Sequence, residues 1–193
     1  MISAVILAAG LASRMGQQKL LLKLGAKSII EHTVEHVLAS EVDEVIVVLG
    51  SERERIAKLL AKYPVKTVYN PDYAAGQGTS VAVGAATVSP SSSAILYILG
   101  DQPLISAEVM NQLIAQFKSQ SVQIVRPQGT GNPTIFNIKL KDELRNCSGD
   151  IGGRQLLEKY QSDVVIVPIV PAPITLDVDT MEDYQRMLQL WKQ

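Results

Sequence analysis

Near the N-terminus two cations stand in a run of small residues, Ala8-Ala9-Gly10-Leu11-Ala12-Ser13-Arg14-Met15-Gly16-Gln17-Gln18-Lys19. Small side chains let the backbone approach a ligand, and successive N–H groups in such a turn can converge on an anion. Arg14 offers a bidentate fork to phosphate oxygens, and Lys19 a compact charge suited to an α-phosphate or a departing pyrophosphate. With backbone from Leu7, Ala8, Ala9 and Gly10, the string suits a polyphosphate; the alternative is an ordinary loop with two solvated cations. It matches neither G-x-x-x-x-G-K-[ST] nor G-x-G-x-x-G, which disfavours a P-loop ATPase and a nicotinamide-dependent dehydrogenase.

Carboxylates supply the second kind of chemistry. In Tyr97-Ile98-Leu99-Gly100-Asp101-Gln102-Pro103 an apolar strand stops at Gly-Asp, which puts Asp101 at a sheet edge where it can hold Mg²⁺ against phosphate oxygens. A turn or cap aspartate is the plainer alternative. Asp177 and Asp179 alternate just before a helix, so on an extended backbone they share one face. Either could be a second metal carboxylate, or both could favour the positive end of that helix, and spacing alone leaves the two readings open. Gly76, Gly78, Thr79 and Ser80 precede or open another helix and could touch base, ribose or phosphate, or serve as a turn and cap. His32 and His36 lie four apart and could share a metal. Neighbouring Glu31 and Glu35 instead suggest a solvated amphipathic face. Cys147, with no nearby His in sequence, reads as structural.

These residues need a frame. Val- and Ile-rich runs recur at Ala4 to Leu7, Val45 to Leu49, Thr67 to Tyr69, Ala94 to Leu99, Val122 to Val125 and Val164 to Ile169. Several are apolar at nearly every position, as strands buried on both faces of a parallel sheet must be. Helical patterns alternate with them at Ile29 to Ser40, Glu52 to Lys62, Ser80 to Val88, Ala107 to Ser119, Lys139 to Asn146, Arg154 to Tyr160 and Met181 to Trp191. Ser51 with Glu54 reads as a capping box, and Ser106 and Thr180 as further caps. Asn132 to Phe136, after a Gly-rich turn, could add an antiparallel strand. The alternation predicts an α/β fold, a three-layer α/β/α sandwich on a Rossmann-like, mostly parallel sheet, with ligands outside the carboxyl ends of the strands.

The chain has 193 residues, a size that suits one domain spanning 1–193. Its 18 basic and 19 acidic side chains nearly cancel, so no overall field draws it to nucleic acid or an anionic membrane. No apolar run approaches the roughly 20 residues of a membrane helix. Met1 to Leu7 lacks the basic stretch of a signal peptide and is expected to be a buried first strand. The lone cysteine cannot form an intrachain disulfide and fits a reducing, cytoplasmic setting.

In their order along the chain, these motifs resemble the MobA-like nucleotidyltransferase family, most closely its molybdenum cofactor cytidylyltransferase branch. The likeness runs over L-A-A-G-L-A-S-R-M-G-Q-Q-K-L at Leu7 to Leu20, N-P-D-Y-A-A-G-Q-G-T-S at Asn70 to Ser80, and G-D-Q-P at Gly100 to Pro103. It continues through G-N-P-T-I-F-N at Gly131 to Asn137, G-D-I-G-G-R at Gly149 to Arg154, and D-V-D-T at Asp177 to Thr180. The resemblance implies a fold of the nucleotide-diphospho-sugar transferase type. It further implies that Arg14 and Lys19 grip the phosphates, that Asp101 and Asp179 hold Mg²⁺, that Gly76 to Ser80 hold the nucleotide, and that Asn132, Pro133, Asp150 and Arg154 lie near the acceptor.

Ala8-Ala9-Gly10 looks like the cytidylyl branch, where the guanylyl branch tends toward Gly-Gly, so Ala9 argues for CTP. The implied reaction moves CMP from CTP to the terminal phosphate of the molybdenum cofactor, with a molybdoenzyme or its chaperone as recipient. Two positions depart from the pattern, Asn132 where relatives often have His and Gln102 where they often have Met. Rival readings are a cytidylyl- or guanylyltransferase on another small phosphorylated acceptor, and a nucleotide-binding accessory protein that does not catalyse transfer.

Overall fold

The computed structural model describes residues 1–10, 18–129, 131–169 and 176–191. Strand β1 (Ile2–Ala8) is followed by a short ribbon of β2 (Lys23–Leu24) and β3 (Lys27–Ser28), then α1 (Ile29–Leu38), β4 (Glu44–Leu49), α2 (Arg53–Leu60) and β5 (Lys66–Tyr69). Next come α3 (Gln77–Thr87), β6 (Ala94–Leu99), α4 (Ala107–Ser119), β7 (Ile124–Pro127) and β8 (Thr134–Asn137). The chain continues through α5 (Lys141–Arg145), α6 (Arg154–Lys159), β9 (Val164–Val167) and α7 (Met181–Trp191).

Seven strands form one sheet in the order β5-β4-β1-β6-β8-β7-β9, and only β8 runs against its neighbours. Along β1, Ala4 and Ile6 face a core shared with α1, α2 and α4, while Val5 faces one shared with α3, α5 and α6. Both faces are therefore covered, which is why this strand is apolar at almost every position. Ile6 and Ile98 are fully buried, each contributing about 1.5–3 kcal/mol of transfer free energy. The arrangement is the expected three-layer, mostly parallel sandwich, with the antiparallel strand where the Gly-rich turn placed it.

Register sets the ligand edge. Leu7 of β1 lies beside Leu99 of β6, and Ala8 beside Leu49 of β4, so the three carboxyl ends are level. Because β8 is antiparallel, its first residue, Thr134, pairs with Tyr97 near the carboxyl end of β6. The segment entering β8 thus reaches the same edge as the segments leaving β1 and β6. Among the described residues no helix is long and apolar enough to cross a membrane.

Several local expectations are corrected. Glu52, not Ser51, is the N-cap of α2, and no side chain caps it; the Ser51 hydroxyl is turned instead toward the Gly10 carbonyl, at 3.5 Å. The capping box lies on α1, between Ser28 and Glu31. Glu31 is therefore not on a solvated face: it is 2% exposed, and its Oε2 accepts from both the N–H and the hydroxyl of Ser28. Ser106 does precede α4, though without a side-chain cap bond. Thr180 exchanges hydrogen bonds with Asp183 at the start of α7.

Candidate functional site

At the carboxyl edge lies a cavity of about 370 Å³ lined by Leu7, Ala8, Ala9, Gly10, Lys19, Asp101, Asp177 and Asp179, among others. Asp101 reaches it because β6 ends at Leu99 and Gly100 stays tied to the sheet, its N–H donating to the Leu7 carbonyl at 2.9 Å. The Thr33 hydroxyl of α1 donates to the Gly100 carbonyl at 3.0 Å, fixing the turn from the helical layer. Ala9 packs against Gly50 so closely that a Cβ there would fall 2.2 Å from the Ala9 oxygen. Glycine after β4 is thus required for the β1 turn to hold its course.

Lys19 opens a single 3₁₀ turn, Lys19–Leu21, anchored by buried Leu20. The ribbon β2–β3 follows, and α7 docks on it: Leu24, Ile29, Val178 and Met187 make a separate small core, with Trp191 packed against it. His32 Nε2 bonds the Leu24 carbonyl at 2.7 Å and its ring lies 4.3 Å from that of Trp191; His36 Nδ1 bonds the Ile105 carbonyl at 3.0 Å. Through these bonds both imidazoles hold neighbouring chain segments. The small core and the His32–Trp191 contact bring the start of α7, and with it Asp179, over Lys19.

The outcome is a cation between two carboxylates. Lys19 Nζ lies 2.5 Å from Asp101 Oδ2 and 2.8 Å from Asp179 Oδ1. Burial alone would lower the Lys19 pKa, but the charges and hydrogen bonds of the two aspartates outweigh it and raise the group above its usual value. Asp177 is held by Gln102, and burial raises its carboxyl above the ordinary range.

Asp101 and Asp179 already converge on one positive charge, so their oxygens fit a metal ion, with Lys19 as the stand-in. Among the described residues no group of three or more His, Cys, Asp or Glu could hold one. A metal here would complete its shell from phosphates and water, as Mg²⁺ usually does.

The loop before α3 is built around Asn70, which is fully buried and donates to Thr79 Oγ1 at 2.8 Å and Ser80 Oγ at 2.9 Å. Gly76 and Ser80 line the cavity. Gly78 and Thr79 line neither cavity described here, contrary to expectation. The Gly78 N–H is spent on the Gly149 carbonyl, and the Thr79 hydroxyl donates to the Gly76 and Asp72 carbonyls. Arg14 lies outside the described residues.

A second cavity, of about 440 Å³, shares Leu7, Gln77 and Leu99 with the first and is lined by Asn132, Thr134, Arg126 and Arg154. Of the residues expected near an acceptor, Asn132 and Arg154 face it, Asp150 faces the first cavity, and Pro133 lines neither. Sequence reasoning did not single out Arg126, Gln77 or Tyr73. Arg126 carried a signal, being a charged residue one position beyond an apolar run that ends at Val125.

Residues 4–164 match the MobA-like NTP transferase domain. The chain belongs to that family. This MobA-like nucleotidyltransferase is 30% identical over 190 residues to purine catabolism protein PucB of Bacillus subtilis, covering 93% of this chain and 92% of that protein. It is 27% identical over 197 residues to nicotine blue oxidoreductase of Paenarthrobacter nicotinovorans, covering 97% and 96%. Among solved structures, a nucleotidyl transferase from Methanothermobacter thermautotroptrophicus superposes with a TM-score of 0.85 at 26% identity, covering 100% of this chain and 98% of that one. Rv0371C from Mycobacterium tuberculosis H37Rv, in complex with manganese, gives 0.82 at 28%, covering 97% and 98%.

Proposed function

We propose that this single-domain transferase moves CMP from CTP to the terminal phosphate of the molybdenum cofactor and releases pyrophosphate, with Mg²⁺ as the metal. The observation that carries the reading is the shared wall of the two cavities. One side holds Lys19 against Asp101 and Asp179; the other holds Asn132 and Arg154. Volumes of a few hundred Å³ suit a nucleotide and a small acceptor.

An acceptor phosphate oxygen attacks the α-phosphorus, the bond to the bridging α–β oxygen breaks, and the bonding pair leaves with pyrophosphate. The second pKa of a phosphate monoester is near ~6, so at neutral pH the nucleophile is already ionised and needs no protein base. The commitment of His32 and His36 to backbone carbonyls agrees with this. Catalysis then rests on alignment and charge. Asp101 and Asp179 would hold the metal, which would neutralise phosphate charge when bound. Lys19, with Arg14 five positions earlier in the sequence, stabilises the leaving pyrophosphate. Leu7, Ala8, Ala9, Gly10, Gly76 and Ser80 frame the nucleotide, and Asn132 and Arg154 orient the acceptor. The manganese complex of Rv0371C supports a divalent ion in this family, and Ala9 supports CTP over GTP.

The test is to incubate the protein with CTP, GTP, Mg²⁺ and purified molybdenum cofactor and identify the product by mass. A cytidylyl adduct with stoichiometric pyrophosphate is expected. A guanylyl adduct would overturn the base assignment, and the absence of any adduct the acceptor assignment.

A further inference from the structure

The ammonium of Lys19 already occupies the place between Asp101 and Asp179. We infer that Lys19 is an internal counter-cation that competes with a divalent ion for these two carboxylates in the nucleotide-free protein, and yields them when a triphosphate enters. The inference rests on the reading of Asp101 and Asp179 as metal carboxylates.

The physical case begins with the need for a cation. Asp101 is only 7% exposed, and two carboxylates brought together at a cavity wall repel unless a positive charge sits between them. Lys19 supplies that charge from a segment far away in sequence. Its contacts use Oδ2 of Asp101 and Oδ1 of Asp179. An ammonium donating to both oxygens cannot share them with a divalent ion, because the two cations would stand side by side in a partly desolvated site. One must leave for the other to enter.

Lys19 is built to leave. Its backbone is pinned by buried Leu20 and by the N–H of Leu22, which donates to the Lys19 carbonyl at 3.1 Å. The side chain is a four-carbon stem with a compact head, 22% exposed, and it lines the cavity. A triphosphate there offers the ammonium new anionic partners, so the carboxylates can be released without leaving Lys19 unpaired. Metal and nucleotide should therefore bind cooperatively. Couplings of this kind typically change affinity by about 5–150-fold, and they are reciprocal.

The experiment measures Mn²⁺ binding to the full chain without nucleotide, by the loss of the free-ion electron paramagnetic resonance signal. Wild type is compared with Lys19→Met and Lys19→Gln, two substitutions that remove the charge, with folding checked by circular dichroism. Both variants should bind Mn²⁺ at least tenfold more tightly than wild type, and adding Asp101→Asn should remove the gain. Equal or weaker binding by the variants overturns the competition while leaving the metal reading intact. So does a gain that survives Asp101→Asn, since the tighter site would then lie elsewhere. If neither wild type nor variants bind Mn²⁺ beyond what free CTP accounts for when CTP is present, the metal reading itself fails and this inference with it.

Discussion

Gln102 Nε2 donates a 2.8 Å hydrogen bond to Asp177 Oδ1. The amide is 5% exposed, and its own Oε1 is buried with no hydrogen-bond partner among the described residues. Replacing Gln102 by Met has two opposed effects. It removes an orphaned acceptor, worth about 1–3 kcal/mol, and it orphans a half-buried carboxylate at a similar cost. At pH 7 the two should nearly cancel, leaving stability within about 1 kcal/mol of wild type. The pH profile separates them. Burial already raises the Asp177 pKa and the Gln102 bond lowers it, so in Gln102→Met the folded pKa rises further. A group with a raised folded carboxyl pKa gains stability as pH falls through it. Thermal melts at pH 7.5 and 5 should shift in the variant's favour at the lower value; an equal offset at both would refute the argument.

Asp101→Asn tests the site directly. The amide keeps the shape of the side chain but loses the charge that faces Lys19 and would bind a metal. Losing a metal carboxylate should remove several kcal/mol of transition-state stabilisation. Pyrophosphate release should therefore fall at least a hundredfold while the melting temperature moves little. Turnover above about a tenth of wild type in a folded variant would remove Asp101 from the metal role.

Gly76 joins the two loops of the site. Its φ is +106°, a conformation that side-chain-bearing residues rarely adopt, and a Cβ would fall 2.4 Å from the Gly149 carbonyl carbon and 2.7 Å from Asp150 Oδ1. Gly76→Ala must therefore separate the Asn70–Ser80 loop from the segment leading into α6. Strain of this kind costs about 1–3 kcal/mol. Because the two loops border both cavities, KM should rise for nucleotide and for acceptor together. A change in one KM alone would show that the loops move independently.

The frame was legible because parallel strands covered on both faces cannot hide their pattern. β1, β4 and β6 are apolar at almost every position the layers press on, and α4 and α7 begin and end where their apolar periodicity does. The site was legible residue by residue and not as an arrangement. Lys19 and Asp179 lie 160 positions apart and meet because α7 packs on a ribbon of two-residue strands, too short to show any period. The Ser51 capping box failed because a local pattern cannot weigh tertiary partners: the Ser51 hydroxyl accepts from Gln18 Nε2 at 3.4 Å and donates to the Gly10 carbonyl. Glu31 was misread for the same reason: helical spacing marks it as polar but does not show that the Tyr63 hydroxyl, at 3.3 Å, and Lys62 Nζ, at 2.7 Å, both reach its Oε1.

That cover makes Glu31 a measurable source of acid sensitivity. Burial would raise its pKa, but hydrogen bonds from Lys62 and from the N–H and hydroxyl of Ser28, with the Lys62 charge, lower it from 4.5 to about 2. The folded value lies below the unfolded one, so the stabilisation is complete above about pH 4.5 and is lost as pH falls toward 2. Lys62 is 60% exposed, so solvent screens part of its charge, and about 2 kcal/mol is a reasonable scale for the whole cluster. Glu31→Gln keeps the shape and loses the charge. At roughly 2–4 °C per kcal/mol for a chain of this size, the variant should melt about 4–8 °C below wild type at pH 7. The gap should narrow steadily below pH 4.5 as wild type loses the same contribution by protonation. A difference in melting temperature that stays constant from pH 7 to pH 3 would mean that Glu31 acts through packing and that its charge contributes nothing.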